Sequence, residues 1–276
     1  MSKLTPEDVV LRYSKRGMNI LKKYLKDGYC RTAAEKLLHA ERGTVLLTTG
    51  FYVAGYAETD GPLGTVAVAE ALNHLGFHSV VVTDKYCKGF FELKQLDVEY
   101  VDIVADEQVY EDILDKYNPV YMISIERCGE NAEHEYANMR GVSITSETAA
   151  IDHLFELAPE KHIPTIGVGD GGNEIGMGNV KDIISEKLEL NPCVVPVDDL
   201  IIATTSNWGA YALTAWLQKL SGEEVLFTFA EAEPYLAATL EIGSVDGVLK
   251  EKKMGVDGFD MTVEKEILDS LAEAIA

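Results

Sequence analysis

Acidic and amide side chains recur at glycine-rich points of this sequence, and their types and spacing could do chemistry. Residues 167–178 read Gly-Val-Gly-Asp-Gly-Gly-Asn-Glu-Ile-Gly-Met-Gly, which sets Asp170, Asn173 and Glu174 among glycines that let a backbone approach a ligand closely. Glu58 and Asp60 stand just before Gly61-Pro62, and Asn207 lies in Ser206-Asn207-Trp208-Gly209. Carboxyls in such loops can serve as bases, acids or ligands of a hard cation; amides and loop N–H groups can donate to an oxyanion. Arg127 and Arg140 are the cations nearby, and arginine holds a carboxylate through two parallel bonds. Together these residues suggest the acidic wall of a pocket for a small amino dicarboxylate. The expected catalytic residues are Asp170, Glu174 and Asp60, with Arg127, Arg140, Asn173, Asn207, Gly171, Gly172 and Glu58 binding substrate.

Plainer roles stand beside each. Asp170 could cap a following helix, Glu174 could complement a helix dipole, Arg127 could pair with Glu126, and Asp60-Gly61-Pro62 is also a sound turn. A divalent cation (Mg, Mn or Ca) held by Asp60, Asp170 and Glu174 is compatible with these oxygen donors. No nucleotide cofactor is expected, because no Gly-Lys-Ser or Gly-Lys-Thr follows the loop and the glycine spacing does not fit a dinucleotide fingerprint. The six histidines form no metal-binding pattern, and Cys30, Cys87, Cys128 and Cys193 are too dispersed for a zinc site or a disulfide framework. Cys128, though beside Arg127, reads as an inert thiol.

The wider composition narrows the partners. With 24 Lys and Arg against 46 Asp and Glu, the formal charge of −22 repels nucleic acid and anionic membrane. The N-terminal residues do not resemble a signal peptide, and the longest uncharged apolar stretch, 43–57, is too short to span a bilayer, so a cytoplasmic enzyme is expected.

The elements that must position these residues follow from periodicity. Helices are expected over 6–26 and 31–40, a strand over 44–49, a helix over 66–75, strands over 79–83 and 99–104, a helix over 107–117 and a strand over 120–125. Residues 131–140 place Tyr136 and Arg140 at four-residue helical spacing. A helix over 147–157, the strand leading into the glycine-rich loop, a helix over 175–190, a strand over 200–204 and helices over 210–220, 233–242 and from 262 complete the chain. This alternation predicts an α/β fold: a mainly parallel sheet with helices on both faces, Rossmann-like and three-layered. The expected organisation is a single domain over 1–276, with the helical segment 1–41 packed on it or forming the interface of a homodimer.

Several short motifs then occur in a recognisable order: Thr49-Gly50-Phe51, Glu58-Thr59-Asp60-Gly61-Pro62, Ile125-Glu126-Arg127, Asn138-Met139-Arg140, Gly167-Val168-Gly169-Asp170-Gly171-Gly172-Asn173-Glu174, Ser206-Asn207-Trp208-Gly209 and Val256-Asp257-Gly258. From about Thr44 to the terminal helix the chain resembles the C-terminal domain of the D-glutamate cyclase family. That resemblance implies a carbon–oxygen lyase interconverting D-glutamate and 5-oxo-D-proline with loss or gain of water. Two alternatives use the same residues: a metal-assisted hydrolase of a cyclic amide or phosphorylated metabolite, and a non-catalytic metabolite-binding domain.

Overall fold

The computed structural model describes residues 4–276. Its strands are β1 Thr44–Thr49, β2 Tyr52–Val53, β3 Tyr56–Ala57, β4 His78–Thr83, β5 Asp97–Tyr100, β6 Tyr121–Ile125, β7 Thr165–Gly169, β8 Asp199–Ile202, β9 Gly255–Val256 and β10 Phe259–Asp260. The α-helices are α1 Pro6–Val10, α2 Met18–Leu21, α3 Tyr29–His39, α4 Pro62–His74, α5 Gln108–Tyr117, α6 His153–Leu157, α7 Lys181–Leu188, α8 Ser206–Ser221, α9 Phe229–Ile242 and α10 Met261–Ile275.

Six strands form one parallel sheet in the order β5-β4-β1-β6-β7-β8. Counting only these strands, the order is third, second, first, fourth, fifth, sixth, the doubly wound arrangement whose direction of progression reverses between β1 and β6. Leu47 of β1 lies opposite Val81 on one side and Ile123 on the other. Strands buried on both faces need apolar residues at successive positions rather than alternate ones, which is why Val45-Leu46-Leu47 and Val80-Val81-Val82 are runs. The expected three-layer α/β fold is thus the observed one. Two antiparallel pairs, β2–β3 and β9–β10, stand outside the sheet.

Helix α8 is buried along most of its length and starts with a Thr205 side-chain cap. It packs closely on α4: a Cβ at Gly64 would lie 2.7 Å from the Ala210 Cβ. One apolar core takes in side chains from Val9 to Ile275, including Trp208, whose indole N–H donates to Glu264 at 2.6 Å.

Four local expectations are corrected. The helix expected over 6–26 is broken into α1 and α2: Gly17 is left-handed, with φ 87°, and Ser14 accepts the Asn19 N–H. The helix over 147–157 shrinks to α6, because upstream the Ala149 carbonyl is taken by Arg127. The helix over 175–190 begins only at Lys181 after a short 3₁₀ turn; Ile175 N–H donates instead to the Arg127 carbonyl and Gly176 N–H to that of Val195. Residues 131–140 are not helical. Asn131 Oδ1 accepts from Glu133 and Glu135, Asn138 Oδ1 from Arg140 and Val142, and these local bonds displace the helical ladder.

Candidate active site

Open α/β sheets bind ligands beyond the carboxyl ends of their strands, where the winding reverses. Here that place lies between the tips of β1 and β6, joined by the tip of β7 and the start of α8. A cavity of about 360 Å³ opens there. Its wall includes Glu58, Glu126, Asp170, Glu174 and Asp257 as acids and Arg16, Arg140 and Lys250 as cations, with Phe51, Val53 and Ile144 supplying apolar surface.

At its inner end, Asp60, Glu126 and Asp170 each offer a carboxylate oxygen, all within 4.8 Å of one another, and all three residues are buried. Asp60 sits just behind the wall and accepts from the N–H groups of Ser206 at 2.8 Å, Asn207 at 2.7 Å and Gly61 at 3.0 Å. Burial and the charge of Asp257 push its carboxyl up to about 8, although the Asn207 and Ser206 N–H groups favour its ionised form. Glu126 accepts from the Ser206 hydroxyl and holds a left-handed backbone, φ 49°. Burial, then the neighbouring Asp170 and Glu174, raises its carboxyl well above the usual range. Asp170 is raised by burial too, but Arg16 Nη1 contacts both its oxygens, at 2.7 and 2.8 Å, and favours the anion. Arg16 thus favours the anion of Asp170, whereas burial and the acids around Glu126 favour its protonated form.

Arg16 Nη2 also forms an ion pair with Asp257 at 2.8 Å, and the Arg16 side chain is 24% exposed. Burial works against its charge, but Asp170 and Asp257 outweigh that and raise its pKa. Glu58 is the fifth buried acid of this neighbourhood, raised by burial and then by Asp257 and Asp60. It packs against Gly247: a Cβ there would lie 2.0 Å from Glu58 Oε2, so a larger residue would displace the carboxylate from this position.

Asp60, Asp170 and Glu58 are therefore brought together as expected, but Glu174 is not part of the trio. Its carboxylate turns back on its own loop, accepting from Gly171 and Gly172 N–H at 2.7 Å each. The anion bound by this glycine-rich nest is the protein's own, so Gly171 and Gly172 do not have those donors for substrate. The oxygen set that could hold a cation is accordingly Asp60, Glu126 and Asp170, with Glu126 in place of Glu174.

The amides and arginines divide in the same way. Asn173 lines the cavity while its Nδ2 donates to the Ala137 carbonyl at 2.7 Å. Asn207 is fully engaged in structure: Oδ1 accepts from Gly61 and Gly64 at 2.9 and 2.8 Å, and Nδ2 donates to the Thr59 carbonyl at 3.0 Å. Arg127 is buried away from the cavity wall. Its Nη1 meets Asp84 at 2.6 Å and the Gly50 carbonyl at 2.8 Å, and Nη2 meets the Ala149 carbonyl at 2.6 Å, so its place is a brace rather than a substrate clamp. Arg140 reaches the cavity from the exposed 138–142 turn. Cys128 is buried, and burial raises its thiol, in keeping with an inert residue.

Sequence reasoning missed Arg16, Glu126, Asp257 and Lys250. Glu126 and Asp257 lay inside the quoted motifs, where an acid beside an arginine or a glycine was the available signal. Arg16 gave none, because it fell inside an apparently continuous helix.

Fold and site together define a doubly wound α/β protein with a buried carboxylate cluster at its topological switch point. The chain belongs to the family described as D-glutamate cyclase-like, C-terminal, which it matches over residues 7–272. It is 32% identical over 259 residues to the human (Homo sapiens) protein named D-glutamate cyclase, mitochondrial; the match covers 80% of this chain and 40% of that one. The chain thus spans about two fifths of the human protein's length. Among solved structures, the UDP-glucose 4-epimerase from Brucella ovis in complex with NAD is 16% identical with a TM-score of 0.33, covering 54% of this chain and 49% of its own. The aldohexose dehydrogenase of Thermoplasma acidophilum is 12% identical with a TM-score of 0.30, covering 85% and 88%. Likenesses that distant do not bear on the site. No helix among the described residues is long and apolar enough to cross a membrane.

Proposed function

We propose that this chain interconverts D-glutamate and 5-oxo-D-proline, releasing water in the direction of ring closure. The observation that carries the reading is the buried trio Asp60, Glu126 and Asp170 at the inner end of a cavity in a member of the D-glutamate cyclase-like family. Ring closure forms a bond from the α-nitrogen to Cδ and breaks a Cδ–O bond. Two protons leave the ammonium and both finish on the departing oxygen as water. The site needs a base for the first transfer and an acid for the second.

Asp170, whose anionic form the Arg16 contact favours, accepts from the ammonium. Glu126, whose protonated form burial and the neighbouring acids favour, gives a proton to the leaving oxygen. Their oxygens lie within 4.8 Å of one another, a span one water molecule bridges, so the proton on Asp170 can return to Glu126 and the same route then carries the second proton. Asp60 sets the field around both and anchors the start of α8.

The test is chiral product analysis with D-glutamate, L-glutamate and both 5-oxoprolines. Turnover of D-glutamate or 5-oxo-D-proline is expected, with Glu126→Gln and Asp170→Asn each lowering it by about 10²- to 10⁴-fold. No conversion of any of the four compounds, with and without magnesium or manganese, would sink the reading. A metal-assisted variant is favoured by the 4.8 Å oxygen cluster. Its signature is loss of activity on chelation and recovery with magnesium or manganese. Stabilisation by 5-oxoproline without conversion would instead indicate a binding domain.

A further inference from the structure

Resting on the reading that the cavity takes a small amino dicarboxylate, we propose that Lys250 is a specificity-determining residue that, with Arg140, binds the ligand's carboxylate at the outer wall. Both side chains line the cavity, and neither makes an ion pair or a side-chain hydrogen bond among the described residues. That is unusual for an arginine in this chain: Arg12, Arg16, Arg31, Arg42 and Arg127 all have carboxylate or carbonyl partners. In a protein of charge −22, two uncommitted cations lining one cavity are available to a ligand anion.

The loop bearing Lys250 is built to hold it there. Asp246, fully buried, accepts from Val248 at 2.9 Å and Leu249 at 2.7 Å through Oδ1, and from Gly258 at 2.8 Å through Oδ2. Its carbonyl takes the Lys250 N–H at 2.7 Å, and its own N–H reaches the Glu251 carbonyl at 2.9 Å. These bonds keep the neighbouring Asp257 at φ 52° and Lys250 at φ 60°, the latter a backbone that a lysine rarely adopts. Loop 246–258 thereby contributes a cation to the outer wall and, through Asp257, an anion to the Arg16 pair. Asp246 is the positioning residue.

Glycine at 250 separates affinity from folding. Position 250 suits glycine better than lysine, so Lys250→Gly is expected to keep or raise the melting temperature while weakening binding of glutarate and 5-oxo-D-proline roughly tenfold. Lys250→Met is expected to weaken binding similarly, and Lys250→Arg to preserve it. Wild type is expected to prefer 5-oxo-D-proline over its uncharged amide, and Lys250→Met to lose most of that preference. Calorimetry and thermal shift read all of this without turnover. Undiminished binding of glutarate and 5-oxo-D-proline by Lys250→Met and Lys250→Gly overturns the subsite, even if wild type converts D-glutamate. Wild type that converts nothing but binds glutarate in a Lys250-dependent way upholds the subsite and overturns the reaction. Wild type that binds none of these compounds overturns both.

Discussion

The carboxyl of Asp60 carries the clearest pH signature at the level of single residues. Ordinarily near 3.8, it is pushed up to about 8 by burial and by the charge of Asp257. Between those values the folded protein keeps a proton that the unfolded chain has lost. The contribution to stability is therefore fully present below about 4 and is lost as pH rises through about 8. Asp60→Asn is uncharged throughout, so the stability of wild type relative to this variant is expected to fall steadily across that window, as urea denaturation in chelator-containing buffer would show. A flat difference would mean that Asp60 is ionised over the whole range. The sequence exposed Asp60, Asp170 and Glu58 as site residues because acids before glycines at strand ends are visible in the letters. It hid the exchange of Glu174 for Glu126. Which of two cavity-lining glutamates joins the carboxylate trio depends on which backbone N–H groups are nearer, and Gly171 and Gly172 capture Glu174.

Elements, rather than residues, explain why the two motif arginines part company. Arg127 ties the tip of β6 to the Gly50 carbonyl after β1, to Asp84 after β4 and to the Ala149 carbonyl before α6, so it fastens three strand tips from within. Arg127→Met leaves Asp84 buried without its partner and is expected to cost about 3–5 kcal/mol, seen as a lower denaturation midpoint. A change under about 1 kcal/mol would show that Asp84 finds another donor. The six strands of the sheet were legible to within a few residues because buried parallel strands are uninterrupted apolar runs bounded by glycine, proline or charge, whereas the two-residue strands β2, β3, β9 and β10 are too short to show a period. The failed helices share a cause. Over 14–17, 131–140 and 174–180 the backbone bonds to distant strand tips or to nearby serine and asparagine side chains, and periodicity cannot register a competitor.

The whole molecule imposes its own electrostatics on the site. A net charge of −22 repels an anionic substrate at long range, while Arg140 and Lys250 attract it only at the mouth. Raising ionic strength from about 10 mM to about 150 mM screens the distant repulsion more than the close contact, so the KM for D-glutamate is expected to fall over that range. A rising KM would assign the larger share of the field to the two local cations. The pairing of Arg16 with Asp257 carries a different consequence. Its members are far apart in the sequence, and a contact of such separation carries a high loop-closure cost. The Arg16–Asp257 pair is therefore expected to close late in folding, leaving Arg16 with Asp170 alone until it does.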